Sequence, residues 1–67
     1  MFEYRRLKGR IIEVFGTQGK FAEHLGISNV TVSNKLRGIT QFSQEDMIQW
    51  CNALGIDYGD IGQFFFR

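Results

Sequence analysis

Polar side chains are concentrated between residues 17 and 41, where amide, hydroxyl and cationic groups alternate with aliphatic residues. Such groups hydrogen-bond to polar surfaces and neutralise anions. The chain holds one histidine, His24, and one cysteine, Cys51, which cannot form a zinc site or an internal disulfide. With no phosphate-binding loop either, no catalytic constellation can be assembled. We therefore expect a binding protein that is not an enzyme and needs no metal, cofactor or small-molecule ligand.

The residues between these polar groups have the spacing of two short helices joined by a tight turn. Gly26 ends the first helix, because glycine adopts the positive φ that such a turn requires. Ser28 then caps the second helix. A steep crossing of the two helices leaves room for only a small residue, Ala22, at their contact. The spacing Ala-x-x-x-Gly-Ile-Ser-x-x-x-Val-x-x-x-Leu-x-Gly over residues 22–38 predicts a helix-turn-helix, with buried positions Phe21, Ala22, Leu25, Val32 and Leu36.

Helical periodicity continues on both sides of this motif. A first helix is predicted from about Glu3 to Phe15, and Thr17 is placed to cap the helix that follows it. Ser43 opens a fourth helix, and Asp46 stands three residues later as in a weak capping box. The apolar stripe of that helix is predicted to hold Met47, Ile48, Cys51 and Leu54, with Trp50 at its edge.

The tail is predicted to form a last short helix that begins after Asp57. Gly59 and Gly62 each cost such a helix on the order of 1 kcal/mol relative to Ala, so it needs packing partners. No proline, linker or repeat interrupts the 67 residues. The predicted fold class is therefore all-α, a compact bundle of four to five helices forming one domain over residues 1–67.

Charge is distributed unevenly along the chain, although the net charge is only +1. Residues 1–42 contain seven Lys or Arg and three Glu, whereas residues 43–67 contain one Arg and four acidic residues. Such an uneven charge distribution would orient the basic half of the protein toward an anionic partner such as nucleic acid. Ordinary surface charge explains the distribution equally well. No apolar run approaches the length of a membrane span and the N-terminus is charged, so we expect a cytoplasmic protein that does not enter a membrane.

The helix-turn-helix segment resembles the lambda-repressor-like family, which includes phage repressors and Cro proteins, in the residues Thr17-Gln18-x-x-Phe21-Ala22-x-x-Leu25-Gly26-Ile27-Ser28-x-x-Thr31-Val32-Ser33-x-x-Leu36-x-Gly38. The opening YRRLKGRIIEVF and a short tail that ends in bulky aromatics are similar to the small Cro-like proteins of temperate phages. This resemblance implies a helical bundle that controls promoters in the bacterial host, usually as a dimer on DNA. It implies a Cro-like repressor that binds an operator in double-stranded DNA through the major groove.

The same resemblance implies which side chains contact DNA. The exposed face of the second motif helix is expected to contact bases through Asn29, Val30, Ser33 and Asn34. Asparagine bonds adenine through its N6 and N7 edge, and valine packs on a thymine methyl group. Family members bond a phosphate with a glutamine where Gln18 stands, and backbone N–H groups at that helix end also suit an anion. The predicted phosphate contacts are Thr17, Gln18, Lys20, Lys35, Arg37 and Gln41. The alternative for each of these side chains is an ordinary solvated helix surface.

The tail carries more apolar side chains than one short helix can bury. We expect a homodimer interface made by Ile61, Phe64, Phe65 and Phe66, because an exposed apolar patch usually marks an interaction site. The alternative is that the three phenylalanines fold back onto the first helix beside Tyr4 and Leu7. The same cluster supports a second function on this fold, a protein-interaction module such as an antitoxin-like or anti-repressor partner.

Overall fold

Residues 4–66, which the computed structural model describes, form five α-helices and one 3₁₀ turn. In chain order the elements are α1 (Arg5–Phe15), α2 (Gln18–Leu25), α3 (Asn29–Leu36), α4 (Gln44–Leu54), the 3₁₀ turn (Tyr58–Asp60) and α5 (Ile61–Phe65). No β-strand occurs within this range, so the predicted all-α fold of four to five helices is confirmed. The predicted helix start at Glu3 lies outside the described residues. None of the helices in this range is long and apolar enough to cross a membrane.

Side-chain caps fix where the three middle helices begin. Thr17 and Ser28 each accept a hydrogen bond at 3.1 Å from the backbone N–H three residues later. The Ser43 hydroxyl accepts from the Asp46 N–H at 3.0 Å, and the Ser43 N–H donates to the Asp46 carboxylate at 3.0 Å, which completes a capping box. The predicted caps at Thr17, Ser28 and Ser43 are therefore confirmed, and each is typically worth about 1 kcal/mol.

One hydrophobic core receives residues from all five helices. Trp50 lies inside it rather than at the edge of the α4 stripe, where the sequence pattern predicts it, and only 1% of its surface is exposed. The rings of Phe21 and Phe42 pack edge-on against the Trp50 indole, each with its centroid 4.8 Å away. Since both partners come from other elements, the helical period of α4 alone does not reveal this burial. The buried core residues are Leu7, Ile11, Phe21, Ala22, Val32, Leu36, Trp50, Cys51, Leu54, Ile56 and Phe65.

Phe42, in the connection before α4, joins both ends of the chain to the core. Its ring makes edge-to-face contacts with Tyr4 at 5.2 Å, Trp50 at 4.8 Å and Phe65 at 4.9 Å between centroids. Such pairs are stabilised beyond the effect of their buried area. Helix α5 also packs against α1 and α4, which supplies the packing partners that its glycines require.

Lys35, in the last turn of α3, is buried, with 8% of its surface exposed. Its ammonium donates to the Asp46 carboxylate at 2.7 Å and to the Gln41 carbonyl at 3.2 Å, and it lies 5.6 Å from the centroid of the Phe42 ring. A buried charge is tolerated when it is paired and hydrogen-bonded in this way. The ammonium is thus turned inward and held by Asp46, whereas the predicted phosphate contact requires it at the surface.

The same interaction changes the pKa of Asp46. Its hydrogen bond with Lys35 lowers the pKa of the Asp46 carboxyl below the ordinary value of 3.8; partial burial opposes this shift and hydrogen bonds from Ser43 assist it. Because the folded pKa lies below the unfolded one, the stabilisation is fully present above about pH 3.8. It is then lost as the pH falls through the folded pKa.

Replacing Asp46 by Asn is expected to lower the free energy of unfolding by about 1–3 kcal/mol at neutral pH, the usual cost of losing a charged hydrogen-bond partner. Asparagine can still accept the capping bond from the Ser43 N–H, so the loss falls on Lys35, whose charge is left unpaired. Urea unfolding followed by circular dichroism measures this difference. It should shrink as the pH falls below about 3.8, because the wild-type carboxyl then becomes protonated as well.

The matched control is Glu13→Gln, which removes the exposed ion pair between Arg10 and Glu13 at 2.8 Å. Exposed pairs contribute little, so this variant should lose about 0.5 kcal/mol or less. Equal losses in the two variants would contradict a structural role for the Lys35–Asp46 pair, and so would an Asp46→Asn deficit that persists unchanged in acid.

Candidate nucleic-acid interface

The connection between α2 and α3 is a tight turn that holds the two helices in contact. Gly26 takes a left-handed conformation with φ 74°, which glycine adopts without steric cost. The Ile27 N–H then donates back to the Ala22 carbonyl at 3.0 Å. Ala22 is buried at the contact between the helices, as its small size predicts. These features fix the orientation in which α3 presents its outer face.

The outer face of α3 carries the four predicted base-contacting side chains. Asn29 and Val30 are exposed at its first turn, and 67% of the Val30 surface is accessible. Ser33 and Asn34 are half-buried one turn later. None of these four side chains hydrogen-bonds to another residue within residues 4–66, so their polar groups are available to a partner. Val30, Ser33 and Asn34 share one stripe, because their spacing returns to the same side of a helix.

The remaining predicted phosphate contacts lie at the start of α2 and in the segment that follows α3. Gln18 is half-buried at the first residue of α2, beside the exposed cap Thr17. Lys20 and Arg37 are exposed on α2 and just after α3, and neither forms an ion pair within the described residues. Gln41 is also exposed, although its backbone carbonyl already accepts from Lys35. These five side chains are therefore exposed or half-exposed, whereas the Lys35 side chain is buried.

Electrostatically, this surface is weakly positive. Between residues 17 and 41, Lys20 and Arg37 are the cations that remain unpaired within the described chain, and the acidic Glu23 lies exposed on the same α2. A helix N-terminus adds partial positive charge at Gln18, where backbone N–H groups point outward. The surface can therefore bind an anion at a few points but does not form a strongly basic track.

Sequence reasoning missed an aliphatic component of this surface. Ile27 and Ile39, which flank α3 in the chain, are exposed by 37% and 56%. With Val30 they give the neighbourhood of α3 three accessible branched aliphatic side chains. The sequence does contain one sign that these two isoleucines are exposed. Each directly follows a glycine that ends a helix, so it lies outside the periodic pattern that marks core residues. Such side chains contact thymine methyl groups or an apolar protein surface.

The aromatic tail is divided between the core and the surface. Phe65 is 3% exposed and packs against Phe42, so this ring does not belong to the exposed surface on which the predicted dimer interface depends. This ring is therefore folded back into the core of its own chain. Ile61 and Phe64 are partly buried against the core, and Phe66 is 55% exposed. Of the three consecutive phenylalanines, Phe65 is therefore the one that is fully buried.

Comparisons with known proteins identify a family and a structural relative of this chain. No curated protein matches the chain. The chain is similar to the solution structure of the modulator of repression (MOR) of the temperate bacteriophage TP901-1 from Lactococcus lactis, with 33% sequence identity and a TM-score of 0.87. The match covers 98% of this chain and 89% of that chain. Residues 1–67 match the family model described as "Protein of unknown function (DUF739)", and the chain belongs to that family.

Proposed function

We propose that this protein regulates transcription in a temperate phage by binding duplex DNA through the outer face of α3. The observation that carries this proposal is the stripe of Val30, Ser33 and Asn34, which follows the tight turn after α2 and has unused hydrogen-bonding groups. The similarity to a phage modulator of repression supports a regulatory role in a phage. The spacing of the helix-turn-helix over residues 22–38 supports DNA as the partner.

In the proposed complex, α3 lies in the major groove. Asn34 bonds the N6 and N7 edge of an adenine, and Val30 packs on a thymine methyl group. Gln18 and the N–H groups at the start of α2 bind one phosphate, while Lys20 and Arg37 neutralise others. The base contacts supply sequence preference, and the phosphate contacts fix the register of the protein on the duplex.

A second candidate function is modulation of a repressor through protein contact. Two observations favour it: the surface around α3 has few unpaired cations, and it exposes Ile27, Val30 and Ile39. The structural relative is itself named a modulator of repression. On this proposal the mixed aliphatic and amide surface docks on a repressor of the same phage, and duplex DNA is not its ligand.

The first experiment measures the salt dependence of binding to duplex DNA. If Lys20 and Arg37 neutralise phosphates, Lys20→Ala and Arg37→Ala should each reduce the slope of log affinity against log salt by about 0.9. Fluorescence anisotropy of a labelled random duplex measures that slope. The matched control is Arg6→Ala, an exposed cation on α1, which should leave the slope unchanged. A wild-type protein with no salt-dependent binding would refute DNA binding and favour the repressor-modulating function.

The second experiment tests base contact by Asn34. A preferred site is first selected from a random oligonucleotide pool. Replacing Asn34 by Ala should then cost about 1–3 kcal/mol on that site and relax preference at one or two base pairs. Binding to random duplex should barely change, and Gln49→Ala, on the exposed side of α4, serves as the control. Equal loss on the selected and random duplexes would exclude Asn34 as a base contact.

A further inference from the structure

The surface away from α3 contains an apolar groove between α4 and α5. This groove has a volume of about 470 Å³ and is lined by Gln44, Met47, Ile48, Tyr58, Ile61 and Phe66. Ile48, Tyr58 and Phe66 each keep more than 40% of their surface exposed. Single exposed apolar residues are normal on a protein surface, but a cluster of three large ones around one concavity is not. We call this feature the acidic groove, because Glu45, Asp57 and Asp60 adjoin its lining residues in the chain.

The residues that adjoin the groove lining in the chain include three acids. Asp57 and Asp60 directly precede the lining residues Tyr58 and Ile61, and Glu45 follows Gln44; all three acids are exposed. No Lys or Arg occurs anywhere between residues 38 and 66. A partner that fills this groove therefore meets negative charge around an apolar centre. It must present an apolar side chain beside cations.

This chain carries such a combination on α1. Ile12 is 50% exposed, and Lys8 lies one turn before it on the same side of the helix, with Arg5 one further turn back. Neither the Arg5 nor the Lys8 side chain has a hydrogen bond or ion pair within residues 4–66. We call these three residues the basic strip. Gly9 lies beside it and leaves open space there, because a Cβ atom at that position would meet nothing within 4 Å.

The side chains of the other two arginines of α1 already hydrogen-bond within the chain and are not free to pair with a partner. Arg6 donates to the Gln63 side chain at 3.1 Å, and Arg10 donates to the Leu54 carbonyl at 2.9 Å. Both contacts tie the opposite side of α1 to the C-terminal elements. Arg10 and Ile12 are two residues apart, which places them about 160° apart around the helix axis. The basic strip therefore faces away from the side of α1 that meets α4 and α5.

The acidic groove and the contact with α3 lie on different sides of α4. Asp46, which pairs with Lys35 of α3, and Ile48, which lines the groove, are also two residues apart on α4. They point about 160° apart around that helix. A partner in the groove therefore leaves α3 accessible. The groove can therefore be occupied whether or not α3 binds DNA.

We propose that the acidic groove binds the basic strip of a second copy of this chain, so that the protein associates head to tail. Ile12 of one copy enters the groove of the other, and Arg5 and Lys8 face its acidic side chains. A two-fold contact through the groove would instead bring the same acidic patch together on both copies, which like-charge repulsion opposes. Because the strip and the groove are different surfaces, the contact leaves one of each unfilled in a dimer and can extend to further copies.

The experiment is sedimentation velocity of the full chain at protein concentrations from micromolar to millimolar, in low and high salt. The apparent mass of the wild type should rise above the 7.8 kDa monomer as concentration increases. It should fall back toward the monomer in high salt, because exposed charges are then screened. Ile12→Ser and Phe66→Ser should each remain monomeric, since each removes one apolar half of the contact. Val14→Ser, a similarly exposed aliphatic position on α1, should behave as the wild type.

Mixing the two deficient variants separates the head-to-tail contact from other arrangements. The Phe66→Ser copy keeps an intact basic strip and the Ile12→Ser copy keeps an intact groove, so an equimolar mixture should form a 1:1 dimer. A wild type that stays monomeric throughout would overturn the proposal and leave the groove to a different partner. Self-association that survives Ile12→Ser but not Phe66→Ser would overturn it in favour of a two-fold contact around Phe66.

Discussion

The buried ammonium of Lys35 is the interaction on which the arrangement of α3 depends. It is held by the Asp46 carboxylate at 2.7 Å and by the Gln41 carbonyl at 3.2 Å, and it lies over the ring of Phe42. These partners come from the connection between α3 and α4 and from the first turn of α4. One charge therefore joins the end of α3, the connection and the start of α4. Because Asp46 also closes the capping box with Ser43, the pair that positions α3 also fixes where α4 begins.

This use of Lys35 has a consequence for the surface that α3 presents. A lysine that stabilises the fold from inside cannot neutralise a ligand outside, so the outer face of α3 is left with amide, hydroxyl and aliphatic groups. Val30 and Asn34 are uncharged, and the cation that follows the helix, Arg37, lies beyond its last residue. Whether this surface suits DNA or a protein as its ligand therefore depends on the positive charge at Lys20, Arg37 and the start of α2. Charge at these positions acts through phosphates, whereas apolar contact by Val30 suits either partner.

The elements that the sequence predicts well are those decided by local chemistry. Thr17, Ser28 and Ser43 cap helices because a hydroxyl satisfies a backbone N–H three residues later, and Gly26 ends α2 because the turn requires positive φ. The positions that sequence reasoning misplaces are decided by distant partners. Lys35 lies at the boundary between the buried and exposed sides of α3, where a long side chain can turn either way. Its direction is settled by Asp46, 11 residues later, and no helical period contains that information.

The aromatic tail illustrates the same dependence on distant partners and links the fold to the acidic groove. Three consecutive phenylalanines give no periodic signal, so the sequence does not indicate which ring turns inward. Phe42 decides it by accepting Phe65 edge-on at 4.9 Å between centroids. Once Phe65 is fixed, the backbone at the end of α5 directs the next ring outward, where Phe66 becomes one wall of the groove. Phe65 therefore contributes to both stability and the shape of the groove, whereas Phe66 shapes the groove from an exposed position. A change at Phe66 therefore alters the groove without opening the core.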